Sequence, residues 1–369
     1  MGGMNDMKTY FIWIGMICAV IIIGVLTLSI TADLSAQAAK QELVFLTWAE
    51  YMDPDLIKEF EEKFNAKVKN VYFETEDERE QLLSLTMGKG YDVVLASGVN
   101  TLSYIRRNWL VPLNTDRIPN LKHIDQKWLS ANPKITAYAV PLLWGTLGIA
   151  YRRDLIKEEV TSWKQLFEPV EKLHGKILMI NDSRDVIGMA LKYLGYSLNS
   201  TNTEELAKAE ALLLAQKPFV KRYGYLALTE ESGLLTGEYL MAMLYNGDAL
   251  ALQEFNSEVG FSVPREGTNI WMDYLMVMEA SPKKELAMSF INFLNEPENA
   301  ARLASFVNFA SPNTGAQKLL PKDHLEDPII YPNKDVLDRS EFCNELPPRV
   351  QKKYNTIFSK VLHGHRKNQ

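Results

Sequence analysis

Residues 42–97 alternate between the pattern of a β-strand and that of an α-helix, and this alternation decides the fold. The stretch begins with ELVFLTW at residues 42–48, a β-branched and aromatic run that is typical of a buried strand. DPDLIKEFEEKF follows at residues 53–64 with the apolar spacing of an amphipathic helix, Asp53 as its expected N-cap and Pro54 at its first position. Strand, helix and strand patterns then follow in AKVKNVYF (66–73), DEREQLLSLTMG (77–88) and YDVVLAS (91–97). The alternation predicts an α/β protein with a parallel sheet.

The same pattern returns further along the chain. GKILMI at residues 175–180 reads as a strand, and a helix closed by Gly195 follows the polar NDSRD. Residues 237–255 repeat this order, with a strand, a polar NGD and a helix, whereas residues 281–307 predict two helices separated near Pro297. A chain of 369 residues exceeds what one hydrophobic core usually serves. Because no long linker or fixed repeat is visible, we expect two lobes that share chain segments.

The N-terminal segment predicts export. Residues 11–30 are apolar and uncharged, and Ala36-Gln37-Ala38 fits a small-residue cleavage site, so residues 1–38 are interpreted as a signal peptide. The apolar run is also long enough to span a bilayer uncut, which leaves a retained N-terminal anchor open. Removal of the leader leaves Cys343 as the single cysteine, and no intramolecular disulfide is then possible. The net charge of −6 argues against nucleic acid as a partner.

Aromatic and acidic residues recur directly after the predicted strands, where open α/β sheets bind their ligands. These residues are Trp48, Glu50, Tyr51, Asp182, Asp185 and Tyr245, and Ser97 occupies the equivalent position after the third strand. Taken singly, Asp182 could cap the following helix, and Trp48 or Tyr51 could belong to the core. The acidic run ETEDERE at residues 74–80 is expected to be a solvent-exposed face.

The strand NIWMDYLMV at residues 269–277 contains one residue that a core strand does not explain. Strand alternation places Trp271, Asp273 and Leu275 on one face, with bulky side chains on the other. A buried carboxylate without compensation is costly, so Asp273 needs a partner. Carboxylates beside aromatic rings suit an organic cation, whose ammonium groups donate charge-assisted hydrogen bonds to the carboxylates while its methylenes stack on the rings.

Motifs for other chemistry are missing from the sequence. It contains no HExxH, no GxSxG, no GxxxxGK[ST] phosphate loop and no paired CxxC. We therefore predict no catalytic residue, no metal site and no cofactor.

Several stretches carry a family resemblance. LTWAEYMDPDLIKEF, YDVVLAS, PLLWGTLGIAYRRDLI, SRDVIGMALKYLGYS, YNGDA, VPREGTNIWMDYLMV, INFLNEPENAARLASFV and ASPNTGA resemble the periplasmic spermidine/putrescine-binding proteins of bacterial ABC importers. The resemblance implies an α/β, two-lobed periplasmic binding protein fold of type II, with a hinge and a ligand cleft between the lobes. It places lobe 1 at residues 40–147 plus 273–317 and lobe 2 at residues 148–272 plus 318–369.

The resemblance also implies a polyamine site. Matching motifs carry the family's ligand-binding positions onto Trp48, Glu50, Tyr51, Ser97, Asp182, Asp185, Tyr245, Trp271, Asp273 and Phe309. Asp273 would then pair with a ligand ammonium. Four positions depart from the spermidine-binding pattern: Val99 replaces an aromatic hydroxyl, Asp185 a glutamate, Tyr245 a tryptophan and Phe309 a tyrosine. The preferred polyamine, whether spermidine, putrescine or norspermidine, therefore stays open.

Two roles follow from the resemblance. The first is a monomeric periplasmic binding protein that delivers polyamine to the inner-membrane permease of an ABC importer. The alternative is a sensor that reports polyamine to an inner-membrane signalling receptor. An enzyme acting on polyamines is disfavoured, because the sequence nominates no catalytic group.

Overall fold

The computed structural model describes residues 40–49 and 51–363. The predicted leader at residues 1–38 and the predicted site residue Glu50 lie outside the described residues. In the part of the chain that is described, no helix is long and apolar enough to cross a membrane.

The strands form one sheet with the order β2-β1-β3-β9-β4-β7-β5-β6, to which β8 and β10 add at β4 and β9. Their bounds are β1 Gln41–Trp48, β2 Ala66–Phe73, β3 Val93–Ser97, β4 Ala139–Arg152, β5 Ile177–Met179, β6 Val220–Tyr223, β7 Met241–Tyr245, β8 Val259–Ser262, β9 Asn269–Val277 and β10 Glu341–Phe342.

The helices cover both faces of this sheet. Their bounds in the described residues are α1 Pro54–Lys63, α2 Glu76–Thr86, α3 Gly98–Arg106, α4 Gln126–Ala131, α5 Pro133–Thr136, α6 Lys164–Phe167, α7 Ser183–Tyr193, α8 Thr203–Gln216, α9 Asn246–Phe255, α10 Lys284–Leu294, α11 Pro297–Val307, α12 Thr314–Gln317, α13 Lys322–Glu326, α14 Lys334–Leu337 and α15 Pro348–His363.

Local sequence signals explain several of these boundaries. Asp53 caps α1, because its side chain accepts a hydrogen bond from the Asp55 amide at 2.8 Å, and Pro54 occupies the first turn. The α7 helix is followed by Gly195 with φ +80°, a conformation that favours glycine. Pro297 begins α11, which confirms the predicted break between two helices.

The prediction of a parallel sheet is correct for some strand pairs and wrong for others. β1 pairs in parallel with β2 and β3, and β5 pairs in parallel with β6 and β7. β9 runs antiparallel to both β3 and β4, so the sheet is mixed. Sequence alternation misses this because β9 arrives from a distant part of the chain and not through a local strand–helix–strand unit.

The strand β4 belongs to both halves of the molecule. Its residues from Ala139 to Thr146 pair with β9, whereas those from Leu147 to Tyr151 pair with β7. One hydrophobic core packs around Phe45 and Phe290, and another packs around Trp163 and Tyr354. We refer to the half with β1, β2, β3 and β9 as the first lobe and to the half with β5, β6 and β7 as the second lobe. The α/β, two-lobed architecture predicted from the sequence is confirmed.

Candidate functional site

The strand β9 carries the centre of the site. Asn269, Trp271 and Asp273 alternate along it and therefore share one face. Trp271 lies opposite Gly145 of β4 in the ladder, where a Cβ would come within 2.4 Å of the indole. The glycine thus makes the room that the tryptophan occupies. Because a strand rises about 3.3 Å per residue, Asn269 and Asp273 lie about 13 Å apart.

Asp273 is buried with a single neutral donor. It is 8% exposed, and the Tyr51 hydroxyl donates a hydrogen bond to its Oδ2 at 2.6 Å. Burial raises the pKa of the Asp273 carboxyl to about 6, against the lowering effect of the Tyr51 hydrogen bond. No lysine, arginine or histidine in the described residues forms a salt bridge with it. The sequence raised the question of which group pairs with Asp273. In the described residues, no cationic side chain bonds directly to its carboxylate.

Three aromatic side chains pack against one another beside Asp273. The Phe309 ring lies 4.9 Å from Trp271 and 5.6 Å from Tyr51, measured between ring centroids. Gly247 allows this packing, because a Cβ there would lie 1.9 Å from Cε1 of Phe309. The buried indole Nε1 of Trp271 has no hydrogen-bond partner among the described residues. Trp48 packs on Phe73 at 4.3 Å, which agrees with the alternative of a core residue.

Asp185 marks the other end of β9. It is 4% exposed, and its carboxylate accepts hydrogen bonds from the Tyr245 hydroxyl at 2.6 Å and from Nδ2 of Asn269 at 2.9 Å. Burial, together with the neighbouring charge of Asp182, raises the pKa of the Asp185 carboxyl. Both donors are neutral, so this carboxylate, like Asp273, lacks a directly bonded cation.

Asp182 and Ser97 occupy helix N-caps on opposite lobes. Oδ1 of Asp182 accepts hydrogen bonds from the amides of Arg184 and Asp185 at 2.7 and 2.9 Å, so the helix-cap reading of Asp182 is confirmed. Ser97 pairs with Asp273 across the β3–β9 ladder. Side chains directly opposite each other in such a ladder lie on the same face, which brings the Ser97 hydroxyl beside the carboxylate.

The structure groups the predicted residues along β9. One group contains Tyr51, Ser97, Trp271, Asp273 and Phe309, and the other contains Asp182, Asp185 and Tyr245. In the described residues, no cluster of three or more His, Cys, Asp or Glu side chains could hold a metal ion.

Sequence reasoning missed two residues near this site. Asp248 lies in the first turn of α9 beside Gly247, and burial raises the pKa of its carboxyl to about 7. The NGD motif marks it, but the sequence suggests a polar connection where the structure begins a helix. Cys343 follows β10, and burial and the nearby charge of Asp185 raise the pKa of its thiol to about 12. No sequence signal indicates that this distant segment returns to the site.

Comparisons with known proteins agree with this architecture. Residues 55–332 match the family described as bacterial extracellular solute-binding protein. A norspermidine sensor of Vibrio cholerae is 30% identical over 340 residues, which cover 92% of this chain and 93% of the sensor. A spermidine/putrescine-binding periplasmic protein of Escherichia coli is 28% identical and covers 82% of this chain and 87% of its own length.

A solved structure shows the same fold. The spermidine/putrescine ABC transporter substrate-binding protein of Streptococcus pneumoniae superposes with a TM-score of 0.80 at 26% identity, covering 87% of this chain and 98% of its own. The family match spans most of the chain, and the resemblance stated from the motifs is confirmed. The chain belongs to the bacterial extracellular solute-binding proteins.

Proposed function

We propose that this protein binds linear polyamines in the cleft between its lobes. One observation carries the proposal: two carboxylates are buried at β9, Asp273 on the strand itself and Asp185 against Asn269 at its start, and their hydrogen-bond donors in the described residues are neutral side chains. A buried carboxylate is stable when a cation compensates it. Ammonium groups supply that charge and donate hydrogen bonds, and methylenes between them pack on aromatic rings.

The spacing along β9 favours a triamine. An extended aliphatic chain advances about 1.3 Å per bond, so the end nitrogens of putrescine lie about 6 Å apart and those of spermidine about 12 Å. Along the strand, Asp273 lies about 13 Å from Asn269, the residue whose side chain binds Asp185. A triamine thus reaches both carboxylates, with its methylenes beside Trp271, whereas a diamine reaches one of them.

The proposed ligand-binding set keeps the residues predicted from the sequence and adds Asp248. It comprises Trp48, Glu50, Tyr51, Ser97, Asp182, Asp185, Tyr245, Asp248, Trp271, Asp273 and Phe309. The proposed lobe boundaries remain residues 40–147 plus 273–317 and residues 148–272 plus 318–369. The change of partner along β4 between Thr146 and Leu147 supports a hinge crossing there.

The relatives' names support export and delivery. Curated relatives include spermidine/putrescine-binding periplasmic proteins, and the structural neighbour belongs to an ABC transporter. We infer that the protein acts in the periplasm as a monomer and delivers polyamine to the permease of an ABC importer. Its role is binding, and we assign it no catalysis.

A second role is favoured by one relative. The Vibrio cholerae protein that is 30% identical to this chain is a norspermidine sensor. The alternative is therefore that this protein reports polyamine to an inner-membrane signalling receptor. Deletion of the gene distinguishes the two: an importer subunit is required for uptake of labelled polyamine, and a sensor is not.

Titration calorimetry tests the binding proposal. Protein purified from the cells that export it is titrated with putrescine, spermidine, norspermidine and spermine, with an amino acid of neutral side chain as the control ligand. We expect saturable binding of polyamines, tighter for triamines than for putrescine. Absence of binding by all four at millimolar concentration would contradict the proposal.

A further inference from the structure

Glu76 lies at the start of α2, in the acidic run that the sequence suggested was only a solvent-exposed face. Thr75 caps this helix by accepting a hydrogen bond from the Glu78 amide at 3.1 Å. The Glu76 carboxylate therefore lies in the first turn of α2, where the helix dipole favours a negative charge. Its side chain is 46% exposed, so one side of the carboxylate remains open to solvent.

A chain of hydrogen bonds joins Glu76 to the site. Nδ2 of Asn100 donates to Oε2 of Glu76 and also contacts the Ser97 hydroxyl at 3.4 Å. Ser97 lies opposite Asp273 in the β3–β9 ladder. The Glu76 carboxylate is thus near Asp273, and its charge contributes to the raised pKa of that residue after burial, the main cause.

The second lobe faces the same carboxylate. Tyr225, which follows β6, is 59% exposed, and partial burial raises its pKa to about 12. The charges of Asp182 and Asp185 on its own lobe add to this effect, as do those of Glu76 and Asp77 on the other lobe. Tyr225 therefore lies within electrostatic range of carboxylates from both lobes.

Arg79 gives Glu76 a second and competing role. The Arg79 side chain is fully buried, 5.1 Å from the Phe73 ring centroid, and its Nη2 lies 2.9 Å from Oε2 of Glu76. Glu80 lies 4.0 Å from the same guanidinium. A buried cation this close to a site for cations would repel the ligand unless it is neutralised. The role of Glu76 toward the ligand must therefore be separated from its role toward Arg79.

We propose that Glu76 is a specificity-determining residue. Its carboxylate binds a further ligand ammonium at the cleft opening, beyond Asp273 of β9. This inference rests on the proposed polyamine function and deepens it. A diamine has no further ammonium to offer. A triamine that spans Asp185 and Asp273 holds its third ammonium between them. A tetramine reaches past Asp273, and its added ammonium gains a charge-assisted hydrogen bond where a carboxylate is available.

Calorimetry on the exported protein tests the role of Glu76. We expect Glu76→Gln to lower the affinity for spermine about tenfold and the affinities for putrescine and the triamines less than about threefold, because the lost interaction is a partly exposed charge pair that only the tetramine makes. Glu80→Gln is the matched control, since it removes a carboxylate 4.0 Å from Arg79 that connects to the site only through Tyr104, Arg79 and Glu76. It is expected to leave the ranking of ligands unchanged. The double variant Glu76→Gln, Arg79→Met should keep the ligand-dependent loss of affinity.

Several outcomes would overturn the inference. One is that Glu76→Gln lowers the affinity for every polyamine by the same factor. The others are that Glu80→Gln causes the same ligand-dependent loss of affinity, or that the double variant recovers affinity. Each of these would mean that Glu76 only neutralises Arg79. Thermal unfolding of each variant checks that it is folded, and the comparison of Glu76→Gln with Glu80→Gln decides the question even if Arg79→Met does not fold. Failure of the unchanged protein to bind any polyamine would instead overturn the proposed function, and this inference with it.

Discussion

Two buried aspartates at opposite ends of the β3–β9 pair differ in what compensates them. Asp92, just before β3, accepts hydrogen bonds from the Ser281 hydroxyl at 2.6 Å and the Val44 amide at 2.7 Å, and Nζ of Lys283 lies 3.2 Å away. Asp273, near the other end, has the Tyr51 hydroxyl and no ammonium group in the described residues. The protein supplies its own cation where a carboxylate is structural. We infer that the cation for Asp273 comes from outside.

Exchange of each aspartate for asparagine is the strongest test of this comparison. Asp273→Asn preserves the shape but leaves a bound ammonium uncompensated, a loss on the order of 3 to 4 kcal/mol that lowers polyamine affinity by roughly two to three decades. The empty protein is expected to unfold at the same temperature or higher, because the substitution removes a buried and poorly compensated charge. Calorimetry and thermal unfolding measure the two effects.

Asp92→Asn is the matched control on the same strand pair. It leaves Lys283 without its partner and is expected to cost roughly 2 to 3 kcal/mol of unfolding free energy, with little change in the affinity of the folded protein. If Asp273→Asn instead lowers the unfolding temperature and leaves affinity unchanged, Asp273 is structural, as Asp92 is, and the comparison fails.

The difference between Asp273 and Asp92 could be predicted from the sequence only in part. Strand alternation in residues 269–277 exposes Asp273 as anomalous, because a period of two fixes which neighbours share its face. The start of α1 follows equally from Asp53 and Pro54, whose effects are local. Boundaries and faces that depend on neighbouring residues are thus predictable.

Contacts between distant segments were not predictable from local patterns. Asp248 was missed because the helix α9 begins at Asn246, and Cys343 because β10 returns to β9 from far along the chain. Glu76 was taken for an exposed face, since its link to the site passes through Asn100 on another helix. Phe309 was assigned from the family resemblance alone, whereas Ser97 was also indicated by its position directly after a predicted strand.

The pH dependence of binding sharpens the comparison further. Burial raises the pKa of Asp273 to about 6 and that of Asp248 to about 7. In the proposed site, each carboxyl must release its proton before it pairs with an ammonium. We expect polyamine affinity at pH 5 to be at least about tenfold weaker than at pH 8, since pH 5 lies one unit below the lower pKa. Calorimetry in buffers of different ionisation enthalpy should detect proton release on binding.

The stability of the empty protein should change in the opposite direction. The raised pKa values mean that the folded state holds these protons more tightly than the unfolded state, in which aspartate titrates near its ordinary value of about 4. Their contribution to the free energy of unfolding is therefore present at low pH and lost as pH rises from about 4 to about 7. The contribution of Asp273 is isolated by comparing urea unfolding of the unchanged protein with that of Asp273→Asn across this range. An identical pH dependence in both proteins would contradict the role of Asp273.

The smallest expected effect concerns the hydrogen bond that Asp273 accepts from the Tyr51 hydroxyl. Tyr51→Phe keeps the ring beside Phe309 but removes the hydrogen bond that lowers the pKa of Asp273. If that bond is worth about one pKa unit, the carboxyl of the variant titrates near 7, so affinity falls about fivefold at pH 6, about twofold at pH 7 and hardly at all at pH 8.5. Ser281→Ala removes the equivalent donor from Asp92 and should leave affinity unchanged at every pH, because that carboxylate keeps Lys283 and does not meet the ligand. A loss in Tyr51→Phe that is the same at pH 6 and pH 8.5 would mean that the hydroxyl contacts the ligand itself, since a group acting only through the protonation of Asp273 has no effect once that carboxyl is ionised in both proteins.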